Sequence, residues 1–121
     1  CFFTTRDSST YTPMEFASGG NLLVGNAALS GWTFVPVDMN STPTAYQHCA
    51  VVGDGTNIKV YRDGSLVATT PHPSWASASW FIQLGKNGDS QYSNGGMDEF
   101  LLYDDVIWTT NFTPPDAPFS Y

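Results

Sequence analysis

Two Asp-Gly pairs divide the middle of the chain into three short runs that favour β-strands. The pairs are Asp54-Gly55 and Asp63-Gly64, and the runs between and around them are 46–52, 58–62 and 66–70. The runs are rich in aromatic and β-branched residues, which fit a pleated sheet. Asp-Gly supplies the positive φ angles that tight hairpin turns require. The sequence therefore predicts three antiparallel strands joined by two tight turns.

Similar short runs recur along the rest of the chain, and turn-forming residues separate them. They are 1–5, 14–17, 22–25, 32–37, 79–84 and 97–103, with a further break at 86–89. No window shows a sustained helical period with caps, so we expect an all-β, mostly antiparallel jelly roll. Alternation places Ile58 and Val60 on a buried face, and Lys59 and Tyr61 on the other. The run 97–103 is apolar on both faces, which predicts a strand covered on both sides.

Four motifs, in order, resemble the laminin G-like, or concanavalin A-like, lectin/glucanase family. They are Tyr46-x-His48-x-Ala50-Val51, the stretch 58–67 with its Tyr-x-Asp-Gly, Phe-Ile-Gln-Leu-Gly at 81–85 and Gly-Met-Asp-Glu-Phe-Leu-Leu-Tyr at 96–103. The resemblance implies an antiparallel β-sandwich over 1–113. The first strand of this chain corresponds to a later strand of the family's fold, and the chain starts with Cys1. We therefore expect the first strands of the sandwich to lie outside this sequence, and another segment or chain to cover the open sheet edge.

Proline and charge set further limits on the chain. Three prolines between 114 and 118 block ladder hydrogen bonds and predict an extended tail or linker at 114–121.

The 121 residues suffice for one domain. Four Lys and Arg against eleven Asp and Glu give a net charge of −7, which disfavours nucleic acid and anionic membrane surfaces. No apolar run approaches the roughly 20 residues of a membrane-spanning helix, so we expect no membrane insertion.

Concanavalin A-like sandwiches also include glycoside hydrolases, which need two carboxylates flanking the scissile bond. The only glutamates are Glu15 and Glu99, far apart in sequence, and Asp98 and Glu99 are adjacent and would point to opposite faces. No Gly-x-Ser-x-Gly elbow is present. A strand histidine such as His48 is more often a hydrogen-bonded core residue than a base. We therefore expect a protein that is not an enzyme.

Calcium is the one metal ion that we consider a candidate ligand of this chain, because laminin G-like domains often bind it. Asp54 and Asp89 are candidate ligands, and Asp38 and Asn87 offer further loop oxygens. Solvated turn aspartates are the alternative, and no other cofactor is indicated.

Cys49 is expected to be a small buried hydrophobe, although a disulfide with Cys1 stays open.

Sugar binding requires aromatic faces that stack on pyranose rings and polar groups that bond hydroxyls. The candidate ligand-binding residues are Trp32, Trp75, Tyr92, Trp108, Asn87, Gln91 and Asn94. The alternative is that these aromatic residues belong to the core, and we expect only one or two of the four to meet ligand. Trp75 lies in a Pro-rich connection, as either a contact residue or a lid on the core.

The segment 109–119 resembles the end of laminin G-like modules of phage tail and bacterial surface proteins. The resemblance implies a non-enzymatic binding module of a virion or an extracellular, cell-surface protein. We expect it to recognise a glycan for adhesion, with homo-oligomeric or multivalent display. The alternative is a structural decoration or assembly domain of a phage capsid, tail or filament, packed against neighbouring subunits.

Overall fold

The computed structural model describes residues 3–7, 14–16, 22–25, 32–35, 46–71, 80–87, 91–92 and 96–117, with side chains in 46–71, 84–85 and 96–117. The regular elements of these residues are all strands. They are β1 (Phe3–Asp7), β2 (Met14–Phe16), β3 (Leu22–Gly25), β4 (Trp32–Val35), β5 (Cys49–Gly53), β6 (Asn57–Arg62), β7 (Ser65–Pro71), β8 (Trp80–Leu84), β9 (Lys86–Asn87) and β10 (Gln91–Tyr92). The chain forms two compact units, one of Cys1–Ser41 with Pro73–Gly96 and one of Thr42–His72 with Met97–Tyr121.

The first unit contains a five-stranded antiparallel sheet in the order β4-β3-β2-β1-β8. Its strands follow the predicted runs to within two residues at each end. β9 and β10 form a separate antiparallel pair, in which Asn87 lies opposite Gln91. The break predicted at 86–89 is therefore wrong for its first two residues, which form the short strand β9.

The second unit contains the three-stranded antiparallel sheet β5-β6-β7, as the two Asp-Gly pairs predict. Between β6 and β7, Arg62 lies opposite Ser65, which leaves Asp63 and Gly64 as a two-residue loop. Their φ angles are 49° and 76°. Positive φ at both central residues defines a type I′ turn, whose twist matches that of the flanking strands.

Each face of the central strand β6 carries at least one buried side chain. Ile58 and Val60 lie on one face with 1% and 0% exposure, which confirms the prediction for these two residues. Tyr61 is also fully buried, and it lies opposite Ala50 on the other face. Full burial of side chains of this size contributes about 1.5–3 kcal/mol each, so the second face is a genuine part of the core.

The strand predicted at 97–103 is absent, although all of its residues are described. Glu99 adopts a φ of 56°, a left-handed conformation that an extended ladder cannot accommodate. Leu102 and Tyr103 are 70% and 62% exposed. The prediction of a strand here is therefore wrong, and within this chain neither Leu102 nor Tyr103 is covered.

Cys49 begins β5 as an exposed residue with a free thiol, so the expected buried position is also wrong. The surrounding protein nevertheless desolvates the thiol and, with a smaller contribution from the Asp63 carboxylate, raises its pKa to about 12. The thiol therefore stays protonated near neutral pH, which makes it a poor nucleophile.

Candidate functional site

The C-terminal segment, defined as residues 106–112, lies against the second face of the β5-β6-β7 sheet. Its side chains Val106, Trp108 and Phe112 are partly buried and pack against the cluster of Ala50, Val52 and Tyr61. Ile107, between two of them, is 45% exposed. This in-out-in pattern at 106–108 is that of an extended chain with one face on the protein.

Two hydrogen bonds attach the end of this segment to the β6–β7 hairpin. The backbone N–H of Phe112 donates to the carbonyl of Gly64 at 2.9 Å. The backbone N–H of Leu66 donates to Oδ1 of Asn111, also at 2.9 Å, across 45 residues of sequence. Each such bond contributes about 0.5–1.5 kcal/mol, and together they fix the position of the aromatic rings.

Trp108 and Phe112 form a parallel stack, with ring centroids 4.1 Å apart and an interplanar angle of 7°. The His48 ring is almost perpendicular to both, with centroids 5.6 Å from Trp108 and 5.5 Å from Phe112. Because these two distances are nearly equal, His48 lies beside the stack and faces the edges of both rings. Neither outer face of the stack is therefore occupied by His48. We call Trp108, Phe112 and His48 the Trp108 platform.

Two buried polar atoms adjoin the platform without a hydrogen-bond partner among the described residues. They are Nδ1 of His48 and the hydroxyl of Tyr61. The Tyr61 ring itself contacts Phe112, with centroids 5.4 Å apart. His48 is only half-buried and lies just before β5, so the prediction of a hydrogen-bonded core histidine within a strand is wrong for this residue. The packing of the rings is what holds the imidazole.

The backbone around His48 is held by the β6–β7 turn. The N–H of His48 donates to Oδ1 of Asp63 at 3.0 Å, and the N–H of Asp63 donates to the carbonyl of His48 at 2.8 Å. Burial lowers the pKa of His48 below its ordinary value, while the Asp63 carboxylate acts in the opposite direction. The imidazole is therefore neutral at physiological pH.

Asp54 is engaged by its own turn. Its Oδ1 accepts the backbone N–H groups of Thr56 at 3.0 Å and Asn57 at 2.7 Å. Its Oδ2 lies 3.2 Å from Nζ of Lys59. These bonds, with that from Asn57 the largest, lower the pKa of Asp54 to about 2. These contacts account for Asp54 as a turn residue, and calcium binding at this carboxylate stays a prediction.

The other predicted site residues either lie in strands of the first unit or are not among the residues that the structure describes. Trp32 is in β4, Asn87 in β9, and Gln91 and Tyr92 in β10, and only their backbones are described. The pairing of β9 with β10 brings Asn87 and Gln91 opposite each other. Three predicted residues, Trp75, Asn94 and the possible calcium ligand Asp89, lie outside the described residues, as does Asp38.

Phe112, Asn111 and Gly64 were not predicted as parts of a site. The alternation of Val106 and Trp108 around Ile107 is a sequence signal for a segment with one buried face. Nothing in the local sequence of Phe112 or Asn111 indicates their hydrogen-bond partners, Gly64 and Leu66, which lie in the β6–β7 hairpin more than 40 residues earlier. The pairing of these residues is a tertiary feature.

Residues 1–110 match the family model described as the concanavalin A-like lectin/glucanases superfamily. The chain belongs to this superfamily, whose fold is an all-β jelly-roll sandwich, and the predicted resemblance is confirmed. No curated protein and no solved structure matches the chain. Laminin G-like domains are generally non-catalytic binding modules, and membership suggests carbohydrate binding, although the superfamily also includes glucanases. Within the described part of the chain, no helix is long and apolar enough to cross a membrane.

Proposed function

We propose that the chain is a non-enzymatic carbohydrate-binding module and that Trp108 is a sugar-contacting residue. The observation that carries this proposal is the Trp108 platform, in which an indole of intermediate exposure is stacked 4.1 Å from Phe112 and supported at its edge by His48. Membership of the superfamily suggests carbohydrate as the class of ligand. In this proposal, the exposed part of the stacked rings is the apolar surface on which a pyranose ring stacks.

A ring that is already immobilised loses little conformational entropy when a ligand binds. Trp108 meets this condition because Phe112 and His48 fix its plane and its edge. The next three residues, Thr109, Thr110 and Asn111, are exposed and carry hydroxyl and amide groups. The Asn111 oxygen is already bonded to Leu66, which leaves its NH₂ group as a donor for a sugar hydroxyl.

The direct test is a glycan array with the whole chain, followed by titration of the best-retained glycan with Trp108→Ala. We expect loss of binding to be at least about fivefold, by analogy with the stacking of a base on an aromatic side chain, which is worth roughly 1–3 kcal/mol. Ile107→Ala is the matched control, since this neighbour is exposed on the opposite side of the segment. Unchanged binding by folded Trp108→Ala would reject Trp108 as a contact.

The same titration distinguishes the other candidates. Trp75→Ala tests the Pro-rich connection, and Tyr92→Ala with Trp32→Ala tests the first unit, together with the polar residues Asn87, Gln91 and Asn94. Repeating the array with calcium and with chelator tests the metal. A glycan signal that survives Trp108→Ala but not one of these changes would relocate the site within the module.

We further propose that the module works in adhesion, displayed in many copies on a virion or on the outside of a cell. One shallow aromatic platform gives weak affinity. Multivalent display can multiply such an affinity by about 10²–10⁴ without any new contact. Retention on a glycan surface should therefore rise steeply when the chain is coupled to a multivalent carrier, and a monomeric chain should be washed off.

A second candidate function, assembly against neighbouring subunits, is favoured by one observation. Leu102, Tyr103 and Ile107 are 70%, 62% and 45% exposed. Asp104 and Asp105 lie among them, and no Lys or Arg follows Lys86 in the sequence. Such a surface suits a partner that presents apolar side chains bordered by basic ones.

Sedimentation of the whole chain over a wide concentration range tests self-assembly. If Leu102, Tyr103 and Ile107 form the contact, Leu102→Ser with Tyr103→Ser should abolish association, while Trp108→Ala should leave it intact. Added salt should strengthen the contact between two copies, because it screens their acidic residues. Monomers at every concentration and salt level would exclude a contact between copies.

A further inference from the structure

The Trp108 platform includes one titratable side chain, His48, whose ring contacts both stacked rings. The C-terminal segment contributes Val106, Trp108 and Phe112 to this packing and has no ionisable side chain between 106 and 112. A change in the charge of His48 would therefore act directly on the rings that hold the indole.

We infer that His48 is a positioning residue for Trp108, and that its neutral imidazole keeps the C-terminal segment seated on the sheet and so makes sugar binding pH-dependent. This inference rests on the proposed function. It adds a control of the binding surface by acid, through a residue that need not touch the sugar.

The ring geometry disfavours a charged imidazole. Because His48 lies beside the stack, with centroids 5.6 and 5.5 Å away, it faces the edges of Trp108 and Phe112. Aromatic edges are electropositive, whereas a cation is attracted to the face of a ring. An imidazolium would therefore meet two unfavourable edges. Its Nδ1 would also carry a proton in a buried position with no acceptor among the described residues.

The other titratable groups around His48 do not fully offset this unfavourable environment of a charged imidazole. Asp63, on the β6–β7 turn, is the charged group that favours the imidazolium, but it is exposed and therefore screened by solvent. The other titratable side chains near His48 are those of Tyr61 from β6 and Cys49 from β5, and the Cys49 thiol is protonated in acid. The balance lowers the pKa of His48, with burial as the larger cause.

The direction of the pH effect follows by linkage. A solvated His48 has a pKa near 6.5, and the seated one has a lower pKa. His48 therefore binds a proton more readily when the segment is released than when it is seated, and acid favours release. Seating is complete above pH 6.5 and is lost as the pH falls through the lowered pKa of His48.

The experiment uses the whole chain labelled with 5-fluorotryptophan, with the Trp108 resonance assigned by Trp108→Phe. Between about pH 7.5 and pH 4.5 we expect this resonance to move toward its solvent-exposed position, with the midpoint at which the His48 ring titrates. Affinity for the glycan best retained on the array should fall about three- to tenfold, within the tenfold per pH unit that one proton allows.

His48→Phe keeps an aromatic ring that cannot be protonated, so it should keep the resonance and the affinity constant over this range. His48→Gln provides a second neutral side chain in case the first variant packs badly. His72→Gln removes the other histidine and should leave the pH profile of the wild type unchanged.

The two proposals can fail separately. If the Trp108 resonance follows the His48 titration but no glycan binds at any pH, the positioning role stands and the sugar-binding proposal fails. If a glycan binds through Trp108 and neither the resonance nor the affinity changes with pH, the positioning role is overturned. A pH response that persists in both His48→Phe and His48→Gln would also overturn it.

Discussion

The two Asp-Gly turns of the β5-β6-β7 sheet have the same dipeptide and different surroundings. At the first turn, Gly55 has a φ of 82° and nothing lies within 4 Å of where its Cβ would be. At the second turn, Gly64 has a φ of 76°, and a Cβ there would overlap the carbonyl group of Phe112. Both glycines serve the backbone conformation, but only Gly64 also makes room for another segment.

The aspartates differ in the same way. Asp54 caps its own turn, through Thr56 and Asn57. Asp63 bonds the backbone of His48, 15 residues away. The first turn is a local device that closes a hairpin, and the second is also the anchor of the Trp108 platform. Identical local sequence can therefore carry either a local or a tertiary role.

The largest expected effect is the loss of stability on Gly64→Ala, for which Gly55→Ala is the matched comparison. Left-handed strain alone costs about 1–2 kcal/mol, which is the expected loss for Gly55→Ala. Gly64→Ala adds about 1–3 kcal/mol for the displaced backbone of Phe112. Urea unfolding monitored by circular dichroism measures both free energies, and 5-fluorotryptophan NMR should show Trp108 disturbed only by Gly64→Ala.

Equal losses for the two glycine variants would contradict the close contact between Gly64 and Phe112. Gly64→Asn provides a further check, because asparagine tolerates a left-handed φ but still places a Cβ against the carbonyl. It should therefore still cost about 1–3 kcal/mol, whereas Gly55→Asn should be mild.

The next largest effect is expected for Phe112→Ala, which removes the ring that contacts Trp108, His48 and Tyr61. Since Phe112 is only partly buried, we expect a loss of about 2–4 kcal/mol, below or within the range for a fully buried phenylalanine. The loss is measured by urea unfolding. Ile107→Ala, an exposed neighbour, should change stability by less than about 0.5 kcal/mol. Similar losses for both would show that the segment is not seated by its inward side chains.

The same contrast explains which features the sequence could predict. Strand alternation and Asp-Gly chemistry are local, and they predicted β6, β7 and the two turns. The apolar alternation of 97–103 also predicted a strand, but the left-handed φ of Glu99 overrides it. Trp108 was predicted as a sugar contact from its residue type alone. Its stack with Phe112 and its support by His48 depend on long-range contacts that no local pattern encodes.

A smaller effect is expected for Asn111→Ala, which removes the acceptor of the Leu66 N–H. The loss should be about 1 kcal/mol, because the N–H is near the surface and water can replace the side chain. Urea unfolding gives the value, and hydrogen exchange of the Leu66 amide should accelerate specifically. Asn111→Asp keeps an acceptor oxygen and should preserve the protection of this amide. Loss of protection in both variants would indicate that packing, and not this bond, protects Leu66.

The smallest effect is expected from the Asp54 carboxylate, which is fully exposed. Its pKa is lowered from 3.8 to about 2, chiefly by the Asn57 and Thr56 N–H groups and then by Lys59. Because the folded state binds this proton less readily, the stabilisation is present above pH 3.8 and is lost as the pH falls toward 2. Asp54→Asn should flatten this part of the profile of melting temperature against pH. Lys59→Met should preserve most of it, since backbone donors are the larger cause. If Lys59→Met flattened the profile as much as Asp54→Asn, the ion pair would outweigh the turn, and the first Asp-Gly turn would no longer be a purely local device.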